Sequence, residues 1–189
     1  SKEEVQLFSN KYDDSKLERI KFIPASGAAS RMFKALHQFL TDYRPENTSL
    51  EKFLAEQDSD LLKKFFDGIN NFAFYKEVLG EVKNGNANDH ELTEDEQKYT
   101  FVKTLLQEDG LNFSNLPKGL VPFHGYENYS ATAFEEHLVE ASKYAAKDGK
   151  AKLHFTVTED HLEKFKSTFQ AIKDRVEKQT ETEFEIEYS

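Results

Sequence analysis

The sequence predicts an α/β protein, a parallel sheet with helical crossovers interrupted by a long helical insertion. Three observations carry this reading. Short strand-like apolar runs occur at residues 20–25, 151–158 and 182–188. Long helical patterns at residues 131–146 and 160–178 alternate with the later runs, which implies parallel pairing through right-handed crossovers. Between the first and second runs, residues 41–116 contain helix periodicity and no convincing strand. The predicted organisation is one α/β unit from residues 1–40 and 117–189, with residues 41–116 inserted as a helical block.

Each element follows from local pattern. Lys2 to Arg19 is charged, with Val5, Leu7, Phe8 and Leu17 as sparse apolar positions, and predicts one or two short helices. Ile20 to Ala25 is an apolar run; Pro24 ends it as a central strand, because proline donates no ladder hydrogen bond. Met32, Phe33, Leu36, Phe39 and Leu40 recur at spacings of three and four, a helix over 30–42 with Ser30 at its N-cap.

In the insertion, Thr48 with Glu51 and Thr93 with Glu96 are capping-box patterns that start helices. Leucine and phenylalanine at helical spacing continue to Leu106, and Gly110 marks a helix end. About four helices packing as a bundle are predicted. After Leu116, Gly119 to Phe123 is a short apolar piece and Ala131 to Ala146 a helix opened by Thr132 and Glu135. Leu153, Phe155 and Val157 alternate in a strand, Asp160 to Lys178 is a long helix, and Phe184, Ile186 and Tyr188 alternate in a last strand with one polar face.

Composition narrows the function classes. The chain has 189 residues, enough for a sizeable core, with 17 Phe and 38% apolar residues to fill it. Its net charge of −10 argues against nucleic acid or an anionic membrane as a general partner. Cysteine is absent, which excludes disulfides and thiolate metal sites. No apolar stretch of ~18 residues and no signal-peptide pattern occur, so the expected compartment is the cytoplasm. The chain begins at Ser1 rather than Met, which predicts a piece of a longer protein.

The chemistry-bearing stretch is F-I-P-A-S-G-A-A-S-R-M-F-K, residues 22–34. Ala25, Ser26, Gly27, Ala28, Ala29 and Ser30 form a small-residue loop between a strand and a helix start, where outward-pointing N–H groups favour an anion. Gly27, Ala28 and Ala29 permit close approach of a phosphate to the main chain. Arg31 supplies a guanidinium that forks onto phosphate oxygens. The Walker and two-glycine dinucleotide patterns are both absent.

A second stretch, L-P-K-G-L-V-P-F at 116–123, precedes a helix containing F-E-E-H-L. The two stretches together resemble the signature of sugar nucleotidyltransferases. Ala25, Gly27, Ser30, Arg31 and Met32 match the first element of that signature; Pro117, Lys118, Leu120, Pro122 and Phe123 match the second. The resemblance covers residues 20–34 and 117–188, about half the chain. It implies a three-layer αβα, Rossmann-like fold of the nucleotide-diphospho-sugar transferase type. It also implies a nucleoside triphosphate or sugar nucleotide as ligand, and nucleotidyl transfer to a sugar phosphate in the intact protein. In that picture Arg31 holds the β- and γ-phosphate oxygens, Lys118 neutralises charge at the α-phosphate, and Mg²⁺ assists. Two departures stand out. Ala29 replaces the second glycine, and the metal-binding aspartate that the family places after later strands has no counterpart before Ser189. The resemblance therefore predicts either a chain cut at its carboxyl end or a protein that has lost the chemistry, and in both cases this chain is expected to be inactive alone. The loop is also similar to the P-A-S-G-x-x-S-R-M loop of a bacterial family of unknown function.

Other patterns point to bland roles. Ser26 lacks the flanking glycines of a nucleophile elbow. The six histidines, at 37, 90, 124, 137, 154 and 161, show no zinc-binding H-E-x-x-H spacing. Asn84, Asn86, Asn88 and Asp95 mimic a calcium loop, but Asp89 stands at the glycine position, which leaves a solvated inter-helix loop. The rival to the nucleotide reading is a non-enzymatic domain whose helical insertion binds a protein partner through exposed Phe or Tyr.

Overall fold

The computed structural model describes residues 1–57, 60–85 and 92–189. Helix α1 (Lys2–Asp13) opens the chain and is closed at its start by a Ser1–Glu4 capping box. Strand β1 (Ile20–Pro24) follows, then α2 (Lys34–Asp42). The helical block comprises α3 (Leu50–Glu56), α4 (Asp60–Asp67), α5 (Tyr75–Gly85) and α6 (Glu94–Leu106). A two-residue hairpin, β2 (His124–Gly125) and β3 (Ser130–Ala131), leads into α7 (Ala133–Tyr144). Strand β4 (Lys150–Thr156), helix α8 (Glu159–Thr180) and strand β5 (Glu183–Tyr188) complete the described chain.

The sheet is small and parallel, in the order β1-β4-β5, with Ile20 opposite Lys152 and Lys152 opposite Glu185. β1 is therefore an edge strand rather than a central one. Pro24 is tolerated there as its last residue, because an edge leaves one side of the strand without a ladder. Residues of one parity, Ile23, Ala151, Leu153, Phe155 and Phe184, turn inward. They pack against Phe134 and Leu138 of α7 and Phe165, Phe169 and Val176 of α8.

The opposite face carries Ile20, Phe22, Lys150, Lys152, His154 and the three glutamates of β5. Ile20 and Phe22 are 48% and 61% exposed. Phe22 stacks on His154 at 5.3 Å, and Lys152 is 3.0 Å from Glu187. Among the described residues no helix covers this face, so helices layer the sheet on one side only. The turn into β4 is set by Asp148 and Gly149, both with positive φ, which closes paired hydrogen bonds between Lys147 and Lys150.

The second core belongs to the helices. Phe39 and Tyr43 of the α2 end, Phe53, Phe66, Val78, Val102 and Leu105 form one cluster that also takes in Ala29 and Val121. The start of α3 differs from the sequence reading. Ser49, not Thr48, caps α3, and its hydroxyl accepts from Lys52 N–H. Asp95 of α6 adds a second acceptor there, taking Leu50 N–H at 2.8 Å, which accounts for one member of the calcium-like pattern. Asn86, Asn88, Asp89 and His90 lie outside the described residues. The Thr93–Glu96 capping box forms as the sequence predicts. Among the described residues no helix is long and apolar enough to cross a membrane.

Candidate phosphate-loop site

The loop after β1 leaves the carboxyl end of its strand, the end at which open parallel sheets present ligands. Ala25 N–H still follows the ladder, donating to Thr156 O at 2.8 Å. Ala28 then pairs with Pro117 in an isolated antiparallel bridge. Its two hydrogen bonds run from Ala29 N–H to Leu116 O at 3.0 Å and from Lys118 N–H to Gly27 O at 2.8 Å. The two stretches singled out from sequence, far apart along the chain, thus clasp each other backbone to backbone.

The helix start is displaced from its predicted place. Residues 30–33 form a turn, with Met32 N–H bonded to Ala29 O and Phe33 N–H to Ser30 O. Helix α2 begins only at Lys34, with Phe33 at the N-cap and no side-chain cap. Ser30 is therefore not the N-cap, and Arg31 lies in the turn rather than in the first helical residues. The physical reason is packing: Ala29 and Phe33 are both buried in the helical core and fix the turn between them. Met32, predicted on the buried helix face, is 42% exposed.

The loop residues divide by what they present. Ala29 is fully buried and its N–H is bonded to Leu116, so it serves packing. Ser26, Gly27, Ala28, Ser30 and Arg31 are exposed, and Ala25 is half-buried. A Cβ added to Gly27 would meet no atom within 4 Å, so neither backbone nor packing requires glycine there. Lys118 is exposed while its neighbour Pro117 is buried, an anchored support for a mobile amine. Among the described residues neither Arg31 nor Lys118 has an ion-pair or hydrogen-bonding side-chain partner. In a chain with 35 acidic residues, two cations left unpaired beside an open loop suit an anion.

The donor set does not suit a metal. Among the described residues no group of three or more His, Asp or Glu gathers to hold an ion. The loop offers N–H groups, hydroxyls, an amine and a guanidinium, whereas Mg²⁺ binds carboxylate and phosphate oxygens. Among the described residues the Mg²⁺ implied by the resemblance thus finds no protein ligand set.

A second constellation escaped the sequence reading. Glu135, whose side chain is only 4% exposed, receives Arg175 of α8 through two hydrogen bonds of 2.7 and 2.8 Å. Its position suggests a capping-box partner for Thr132, and Glu135 N–H does donate to Thr132 Oγ1 at 3.2 Å. The carboxylate instead turns to Arg175, a bidentate pairing that a burial-blind spacing rule does not reveal.

The fold defines a mixed α/β protein with a small parallel sheet, a helical block and an exposed small-residue loop after β1. The chain belongs to the family described as Domain of unknown function (DUF4301), whose sequence profile matches residues 1–189. No curated protein and no solved structure matches the chain.

Proposed function

We propose that the loop of residues 25–31, together with Lys118, binds the phosphates of a nucleoside triphosphate or sugar nucleotide. The activity it serves on this reading is nucleotidyl transfer to a sugar phosphate, within a fold related to the nucleotide-diphospho-sugar transferases. One observation supports the reading: the clasp between Gly27–Ala29 and Leu116–Lys118, in which Lys118 N–H bonds to Gly27 O, so that the two stretches carrying Arg31 and Lys118 meet backbone to backbone. Exposed N–H groups with a guanidinium and an amine stabilise phosphate charge by position alone. The match of both stretches to the nucleotidyltransferase signature supports the nucleotide rather than a bare phosphate.

Isothermal titration of the chain with each nucleoside triphosphate and Mg²⁺ tests this. Binding that Arg31→Ala and Lys118→Ala each weaken about tenfold, near 1.4 kcal/mol, is the expected result. Absence of heat at millimolar nucleotide, or binding indifferent to both substitutions, overturns the proposal. The rival reading, a protein-docking helical block, needs exposed Phe or Tyr on residues 50–106. Among the described residues there, Leu61 is the exposed large apolar side chain.

A further inference from the structure

A cleft of about 710 Å³, whose lining includes neither residues 25–31 nor Lys118, opens between the start of α5 and the β2–β3 hairpin. It falls in the size range of small-molecule sites. Its two walls are fixed to each other: Ser130 Oγ donates to Ala73 O at 2.6 Å, and Gly125 lies against Ala73 so closely that a Cβ would sit 3.6 Å from it.

The hairpin wall is an aromatic shelf. Tyr126 N–H donates to Tyr129 O at 2.8 Å, and the two rings stack at 4.8 Å and 12°. The shelf is braced from several directions. Tyr126 donates its hydroxyl to Glu136 at 2.6 Å, and the Arg175 guanidinium lies 4.7 Å from the centre of the Tyr129 ring. Arg175 is itself locked by the buried Glu135. Yet Tyr126 and Tyr129 remain 48% and 37% exposed. Two aromatic rings held this firmly while facing water do little for the core, and they present flat apolar surface to whatever enters.

Opposite and beside the shelf stand Asn70, Asn71, Glu77 and Asn128. Each amide offers two donors and one acceptor oxygen, and a carboxylate accepts two hydroxyls. Glu77 has no ion-pair partner among the described residues. Partial burial and then the neighbouring Glu81 raise the Glu77 carboxyl from its ordinary value, while the residue stays exposed to water.

A flat apolar face rimmed by groups that both donate and accept matches one chemical class. A sugar ring has C–H bonds on one face and a perimeter of hydroxyls that both donate and accept. We propose that this cleft is a carbohydrate site in which the Tyr126 ring carries the C–H face of a sugar. Asn70, Asn71 and Glu77 take its hydroxyls. The assignment stands on the cleft and is independent of the phosphate loop.

Saturation-transfer NMR with glucose, galactose, mannose, N-acetylglucosamine and myo-inositol, without nucleotide, tests it. The expected result is binding of at least one sugar at millimolar concentration, with strongest transfer to ring C–H protons. Tyr126→Ala and Asn71→Ala should each weaken it about tenfold or more. Tyr126→Phe, which keeps the ring and loses only the Glu136 bond, should retain it and so separate loss of the shelf from misfolding. Arg31→Ala should leave sugar binding unchanged even where it abolishes nucleotide binding, so each proposal fails on its own evidence. No transfer from any of these sugars, binding untouched by Tyr126→Ala, or adenosine occupying the shelf in their place overturns the assignment.

Discussion

Gly110 and Gly27 are the same residue type kept for opposite reasons. A Cβ at Gly110 would lie 2.1 Å from the Thr104 carbonyl oxygen, which also accepts Leu111 N–H at 2.8 Å. That oxygen belongs to backbone and cannot swing away. Gly110→Ala is therefore expected to destabilise the protein by about 2 kcal/mol in urea unfolding. Gly27→Ala meets open space and is expected to change stability by less than about 0.5 kcal/mol, while weakening nucleotide binding. A large stability loss at Gly27 would make it a structural glycine. The sequence marked both positions but misassigned Gly110 as a helix cap; α6 ends at Leu106 with Gln107 as its C-cap. Glycine signals that space or backbone freedom is needed, and only the fold shows which neighbour needs it.

At the scale of elements, β1 and α7 are joined by a mostly buried lysine. Lys21, with its side chain 8% exposed, donates to His137 O at 3.1 Å and pairs with the Glu140 carboxylate. The His137 ring lies beside the same carboxylate, its Nδ1 3.4 Å from Glu140. Burial foremost, and then the Lys21 charge, hold His137 below its ordinary value of 6.5. The unfolded chain thus binds this proton more readily than the folded one, so the stability from a neutral His137 is present above pH 6.5 and lost as pH falls below it. Glu140, lowered from 4.5 chiefly by its hydrogen bond from Lys21, loses its contribution only in a more acidic window. Unfolding in urea at pH 7, 6 and 5 is expected to show a decline that His137→Gln flattens. Parallel declines for both proteins would remove His137 as its cause. Most elements were legible: the three strands of the parallel sheet, their parallel pairing and the Thr93–Glu96 box follow from alternation and capping residues, whereas the short β2–β3 pair was not read. The start of α2 was not, because Ser30 has the chemistry of a cap while Ala29 and Phe33 decide the geometry by burial.

Across the whole molecule, periodicity told which faces are apolar but not what they meet. Helix α2, read as part of the α/β unit, buries Leu36 and Phe39 in the helical cluster, and Val121 from the second motif joins it there. The clasp at the candidate site is a product of this shared core, which is why residue spacing alone did not disclose its hydrogen bonds. Helix α1 is the counter-example. It buries no side chain, and Val5 and Phe8 are 71% and 64% exposed. Its end is held by Tyr12 OH donating to Tyr144 O at 2.7 Å. With little apolar surface removed from water, deleting residues 1–14 is expected to lower Tm by less than about 2 °C in calorimetry. A fall above about 5 °C would make α1 an integral part of the fold.

The parallel register has a consequence for how the chain reaches its final state. Ile20 pairs with Lys152 only after the ends of the entire helical block have been brought together. Helices α3 to α6 are built from local contacts that form early, whereas this closure carries a large entropy cost and comes late. The Gly27–Lys118 clasp spans the same block. A partly folded chain with its helices already in place would therefore lack the clasp, so that the candidate site would be completed in the last step of folding rather than the first.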